Sequence, residues 1–152
     1  MGIIHKQRLT GPSIWQGPDF AGDESWIRRL NAEQSDELLA AVAATRNAGK
    51  RFPNFGVDDF PLVGLGRQLS NWGDELESGS GFMLLRGLPI DGLDDDDIDV
   101  LYFGLGLHMG VPVRQNPAGD LIGRVMNVGD LEDRQARVYE TNAYLPYHTD
   151  PS

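Results

Sequence analysis

Apolar residues recur every three or four positions in one stretch of the chain, which is the spacing of a single face of an α-helix. The members of this stripe are Leu62, Leu65, Leu69, Trp72 and Leu76. Gly79 follows the last of them, and glycine commonly ends a helix. The pattern predicts an amphipathic helix that ends near Gly79, and a Leu/Trp stripe of this kind is typical of core packing.

An earlier helix is predicted where Asn31 is followed three residues later by Gln34, because this pair matches a capping box. The apolar positions continue to Val42, and Gly49 is a natural C-terminal end. Residues 51–61 carry two prolines and no apolar periodicity. They are therefore predicted to form a loop.

Four consecutive aspartates at 94–97 form the conspicuous acidic run of the chain. A calcium site is one interpretation, but the run lacks the alternating ligands and the closing Glu of an EF-hand loop. Carboxylates also stabilise the positive end of a helix and cap its free N–H groups, and we favour this second interpretation. The predicted helix has an apolar face formed by Ile98, Leu101, Tyr102 and Leu105.

The apolar period changes after Gly81. Residues 82–85 form a short continuous apolar run, which predicts a buried strand. Residues 121–128 are predicted to form another strand, and 117–120 have the composition of a turn before it. Residues 137–144 combine β-forming and polar residues, so they are expected to be an irregular strand or a loop.

Near the end of the sequence, His148 and Asp150 are separated by one residue. In a strand, side chains at i and i+2 point to the same face. An imidazole nitrogen and a carboxylate oxygen on one face are two of the three ligands of a 2-His-1-carboxylate iron site. Many His-x-Asp tripeptides are surface coil, so the residues alone establish only a plausible metal site.

The motifs from 81 onward resemble the N-terminal half of a taurine-catabolism-dioxygenase-like (TauD/TfdA) domain. They are GFMLLRGLP at 81–89, VPVRQN at 111–116, RVMNVG at 124–129 and YHTDP at 147–151. Gly11 to Trp15 and the helical region after them resemble the N-terminal extensions of some members. The resemblance therefore covers nearly the whole chain.

The resemblance and the patterns together predict an α+β chain. Residues 1–80 would be a helical N-terminal extension packed on the outside of a barrel. Residues 81–152 would be the N-terminal part of the oxygenase domain, with the first strands of an incomplete double-stranded β-helix, the jelly-roll type of barrel.

The resemblance implies a dioxygenase that uses Fe(II), with 2-oxoglutarate as co-substrate and O2 as oxidant. His148 and Asp150 would be the metal ligands. The family's distal His and its 2-oxoglutarate-binding Arg come after this strand, and we expect them beyond Ser152, so the 152-residue chain alone should be inactive. His108 is expected to be a helix-end residue and His5 a solvated one.

Four polar residues lie on segments that could line the mouth of such a barrel and bind a small-molecule substrate: Gln115, Asn116, Thr141 and Asn142. For each of them, hydrogen bonding within a turn or at a strand end is the favoured alternative.

Composition narrows the class of protein. The net charge of −10 argues against a nucleic-acid partner, since phosphate binding needs clustered Lys and Arg. The chain has no cysteine, which excludes disulfides and thiolate metal sites. No apolar run reaches the length of a membrane span, and the N-terminus lacks a secretory signal, so a cytoplasmic location and no membrane partner are expected.

Other functions stay open at this point. The chain could be a catalytically inactive fragment, or a non-catalytic jelly-roll binding module that retains the tripeptide. A hydrolase with the same ligands is a weaker option, and it would need no 2-oxoglutarate.

Overall fold

A computed structural model of the chain describes Arg8 and residues 10–124. Its elements are the strands β1 (Ile27–Arg29) and β2 (Leu84–Arg86) and the helices α1 (Ala32–Asn47), α2 (Leu65–Ser78) and α3 (Asp95–Met109). Short 3-10 turns lie at Gly17–Phe20 and Val57–Asp59. The α+β class is confirmed. The chain divides into two compact units, Met1–Pro112 and Val113–Ser152.

Helix α1 begins at the predicted capping box. The Asn31 side chain accepts a hydrogen bond from the Gln34 backbone N–H at 2.9 Å, and the Gln34 side chain accepts one from the Asn31 N–H at 3.0 Å. These two bonds satisfy backbone donors that have no partner inside the helix. The helix ends at Asn47, and Gly49 follows with a φ of +73°, a conformation that favours glycine.

Helix α2 is confirmed, but its N-terminus is capped from another helix. The preceding residue, Gly64, has no side chain that could cap it. Instead, the Glu37 carboxylate of α1 accepts hydrogen bonds from the N–H groups of Gly64 at 2.7 Å and Leu65 at 3.0 Å. A carboxylate at this position also stabilises the positive end of the helix dipole.

The acidic run begins α3, as predicted. The Asp94 side chain accepts a hydrogen bond from the Asp97 N–H at 2.7 Å. Arg46, in the last turn of α1, forms an ion pair with Asp97 and lies 3.5 Å from Asp94. The acidic residues therefore both cap α3 and attach it to α1.

The predicted apolar face of α3 is partly wrong, because Tyr102 is 61% exposed. Helix α3 contacts both α1 and α2, so its buried arc is wider than a single stripe and is centred on another side of the helix. The buried members of this arc are Val100, Leu101, Phe103, Gly104 and Leu105.

The loop between α1 and α2 contributes to the core. Phe60 is fully buried, and a Cβ built on Gly104 of α3 would lie 2.4 Å from its ring, so the ring rests directly on the helix backbone. The buried hydroxyl of Thr45 lies 2.7 Å from the Asp59 carbonyl oxygen and 2.9 Å from that of Ala41. Residues 51–61 are a loop, as predicted, apart from the 3-10 turn at Val57–Asp59.

Strands β1 and β2 form a parallel pair in which Ile27 lies opposite Leu84 and Arg29 opposite Arg86. Strand β1 corrects the expectation that the chain before residue 80 is helical. A strand is present where residues 82–85 predict one, but it begins at Leu84 rather than at residue 82. No residue of either strand is fully buried within the part of the chain that the structure describes.

Within residues 10–124, the helices bury their apolar faces mainly against one another. Their packing on the outside of a larger sheet, and the boundary near residue 80, stay predictions. The pairing of β1 with β2 crosses that boundary.

In the second unit, the predicted turn is present. The Gly119 N–H donates to the Asn116 carbonyl at 3.0 Å, and Gly119 has a φ of +93°. Residues 121–124 contain bends and no strand, so the first half of the strand predicted at 121–128 is wrong. The rest of it, and the segment 137–144, lie outside the described residues. Among the helices that the structure describes, none is long and apolar enough to cross a membrane.

Candidate functional site

The predicted site residues divide into two groups. Gln115 and Asn116 lie in the described part of the chain. The predicted metal ligands His148 and Asp150, together with Thr141 and Asn142, lie outside the described residues. The geometry of the metal site therefore stays a prediction.

Asn116 holds together the turn on which it lies. Its Oδ1 accepts hydrogen bonds from the N–H groups of Gly119 at 3.0 Å and Asp120 at 3.1 Å. Its Nδ2 donates to the Asp120 carboxylate at 2.7 Å. Asparagine often bonds to the backbone in this way within turns. These bonds support the structural alternative for Asn116.

Gln115 is also bonded locally. Its side-chain amide donates to the Val113 carbonyl at 3.0 Å, and its backbone N–H donates to the Asp120 carbonyl at 2.7 Å. A substrate-binding role for Gln115 stays a prediction.

His108 lies in the last turn of α3 and is half-buried. Its Nε2 lies 2.8 Å from the Phe60 carbonyl oxygen, which can only accept, so Nε2 carries the proton and donates. This bond attaches the end of α3 to the core loop and agrees with a helix-end role. His5 lies outside the described residues.

No group of three or more His, Cys, Asp or Glu side chains in the described ranges is arranged to hold a metal ion. Two residues of the acidic run, Asp94 and Asp97, form other contacts. Asp94 caps the helix, and both carboxylates lie close to Arg46. The helix-start interpretation of the acidic run accounts for these contacts.

One carboxylate in the N-terminal loop has a perturbed pKa. The Ser25 backbone N–H donates to Asp23 at 2.7 Å, and the Ser25 hydroxyl donates at 2.9 Å. Both bonds favour the ionised form and lower the pKa of Asp23, and the backbone bond has the larger effect. This carboxylate stabilises a turn before β1.

Two curated proteins are similar to almost the whole chain. FR-33289 synthase from Streptomyces rubellomurinus is 31% identical over 149 residues, which are 97% of this chain and 44% of that protein. The taurine hydroxylase-like protein SAT17 from Stachybotrys chartarum is 25% identical over 151 residues, which cover 94% of this chain and 39% of that protein. No family model matches the chain.

These similarities confirm the resemblance to a TauD-like oxygenase family that the sequence motifs indicate. The chain spans less than half the length of the two curated relatives.

Proposed function

We propose that this chain is part of an Fe(II)- and 2-oxoglutarate-dependent dioxygenase that hydroxylates, or otherwise oxidises at a C–H bond, a small organic molecule. The observation that carries the proposal is the similarity to a taurine hydroxylase-like protein and to a synthase over almost all of the chain. The His148-Thr149-Asp150 tripeptide supplies the donor types that this chemistry needs.

The donor set fits ferrous iron. A neutral His148 imidazole and an ionised Asp150 carboxylate provide one nitrogen and one oxygen ligand, and a His further along the full-length protein would complete the facial triad. The second ring nitrogen of His148 would donate to an acceptor that fixes the orientation of the ring. Bound iron, with 2-oxoglutarate and O2, would supply the oxidation of an unactivated C–H bond.

The fold proposed for the catalytic part is a double-stranded β-helix, of which β2 is an early strand. Parallel strands are usually covered on both faces and belong to larger sheets, and a two-stranded pair is rarely stable alone. Strands β1 and β2 are only half-buried in the described part of the chain, which agrees with further strands packing there. The packed helices would then serve as a rigid support.

The proposal is tested by supplying the full-length protein with Fe(II), ascorbate and 2-oxoglutarate. We expect succinate and CO2 to form slowly without a primary substrate, and faster with one member of a panel of sulfonates, aryloxyacids and betaines. Replacement of Fe(II) by Zn(II) should abolish both products, because zinc has no redox chemistry.

A full-length protein that neither binds nor consumes 2-oxoglutarate in the presence of Fe(II) would contradict the proposal and would favour a non-catalytic binding module. Reaction of a substrate without 2-oxoglutarate would instead favour the hydrolase.

A further inference from the structure

A groove lies on the surface of the first unit, beside the helical core. Its volume is about 560 Å³. Helix α1 forms its floor and its acidic rim, and the segment that leads into α2 forms the facing wall. The lining residues are Glu33, Glu37, Ala40, Ala41, Ala44, Pro61, Val63 and Gly64. We call it the α1 groove.

The floor and one wall of the α1 groove are apolar. Ala40 and Ala44 are exposed on the same side of α1, one helical turn apart. Val63 stands opposite with 98% of its surface exposed. Burying an aliphatic side chain of this size against a partner is favourable. Because alanine side chains are small, another chain can approach the α1 backbone closely at this point.

The rim of the α1 groove is acidic. Glu33 and Glu37 lie one turn apart on α1, where like charges repel. Glu37 is held in place because it caps α2 through Gly64 and Leu65. Glu33 has no hydrogen bond or ion pair within the described residues, so its charge is not neutralised there.

Three cations on or near α1 form ion pairs with carboxylates outside the groove lining. Arg28 pairs with Glu75, Arg46 with Asp94 and Asp97, and Lys50 with Asp59. A cation from outside the described residues would relieve the repulsion between Glu33 and Glu37.

We propose that the α1 groove binds a basic amphipathic segment of a partner protein. An aliphatic side chain of the partner packs over Ala40 and Ala44 against Val63, and a neighbouring Lys or Arg lies at the Glu33–Glu37 rim. The charge of the chain favours this occupant over a second copy of itself, because each copy carries a net charge of −10.

The probe is an acetylated and amidated helical peptide of about 14 residues with Leu and Lys at amphipathic spacing. A matched peptide carries Glu in place of every Lys. The full-length protein is titrated into each labelled peptide at physiological salt, and Kd is read from fluorescence anisotropy. We expect the Lys peptide to bind and the Glu peptide not to bind.

Two variants change the α1 groove, and one matched variant does not. Glu33→Lys reverses the charge of the rim, and Ala44→Gln places a polar side chain on the floor. Each should weaken binding by about tenfold or more. Glu77→Lys makes the same change of charge near the end of α2, about 18 Å along that helix from Leu65, and it should change Kd by less than about threefold. Circular dichroism melts verify that each variant is folded.

An equal loss of affinity in Glu77→Lys would overturn the proposal, because attraction by the overall charge would then explain the binding. Unchanged affinity in Ala44→Gln would overturn it as well. Self-association of the protein that Ala44→Gln abolishes would assign the α1 groove to a second copy. None of these readouts depends on iron or 2-oxoglutarate, so they are independent of the proposed reaction.

Discussion

The helical core and the β1–β2 pair differ in how completely the described chain buries them. Phe60, Leu38 and Leu69 are fully buried, and they belong to a core that the helices and one loop complete by themselves. No strand residue in the described part reaches that burial. Within the described residues, the helical part therefore has a closed core, whereas the strands are only half-buried.

Aromatic side chains next to the sheet illustrate the difference. Phe82 lies with its ring centroid 4.7 Å from that of Trp15, 4.9 Å from Phe20 and 5.8 Å from Trp26. The Trp15 indole N–H donates to the Ser80 carbonyl at 2.9 Å. Trp15 nevertheless remains 43% exposed. This cluster holds the N-terminal loop against the sheet without forming a closed core.

The largest loss of stability is expected when the Phe60 ring is removed from the helical core. Removal of the Phe82 ring from the aromatic cluster gives the comparison. Phe60→Ala should lower the free energy of unfolding by about 3–5 kcal/mol, because it empties a fully buried site. Phe82→Ala should cost roughly half as much, since its ring is only half-buried. Denaturant unfolding measures both values. Equal losses would show that the aromatic cluster is part of the same core.

A matched pair of glycines in α3 tests how tightly the core is packed. A Cβ at Gly104 would lie 2.4 Å from the Phe60 ring, so Gly104→Ala should cost about 1–3 kcal/mol of stability. At Gly106 a Cβ would meet nothing within 4 Å, so Gly106→Ala should stabilise the helix by about 0.5–1 kcal/mol. Thermal melts compare the two. A neutral Gly104→Ala would mean that the core can shift to accept a methyl group.

A smaller loss of stability is expected from removing the ion pair between Arg28 of β1 and Glu75 of α2. Arg28 donates to both carboxylate oxygens of Glu75, at 2.8 and 2.7 Å, and is only partly exposed. Arg28→Gln should lower stability by about 0.5–1 kcal/mol, and by less at high salt. Arg29 lies 3.4 Å from Glu24 with both side chains largely exposed, so Arg29→Gln serves as the control and should change little. Similar losses of stability in both variants would show that the Arg28–Glu75 ion pair makes no specific contribution.

The smallest effect concerns the turn before β1. Ser25→Ala removes the hydroxyl but keeps the backbone N–H, so the lowered pKa of Asp23 should rise only part of the way to its ordinary value. Because the pKa is lowered in the folded state, the stabilisation by Asp23 is present at neutral pH. It is lost as the pH falls through the lowered value. An NMR titration of the Asp23 side chain checks the shift. An unchanged pKa in the variant would assign the whole shift to the backbone bond.

Local signals explain most of what the sequence predicts correctly. The capping box of α1 and the aspartate cap of α3 each join residues three positions apart, so the pattern is visible in the sequence. Strand β1 could not be found in this way. It has three residues, two of them arginine, and it exists because it pairs with β2, which is far away in sequence.

Tertiary contacts account for the other differences. The Glu37 cap of α2 joins residues 27 positions apart, and no sequence spacing marks it. The exposure of Tyr102 depends on which sides of α3 are covered by α1 and α2, and a periodic pattern cannot supply that information. For the site, the residue types at His148 and Asp150 predict an iron site, which stays a prediction because both residues lie outside the described ranges.

The most direct test of the central claim is succinate formation from 2-oxoglutarate by the full-length protein and three single variants. His148→Ala and Asp150→Ala should each abolish iron-dependent succinate, because each would remove a proposed iron ligand. His108→Ala, assayed below its unfolding temperature, should keep most of the turnover, since His108 bonds to Phe60 in the core loop. More than a few per cent of activity in either ligand variant, or an equal loss in His108→Ala, would contradict the account.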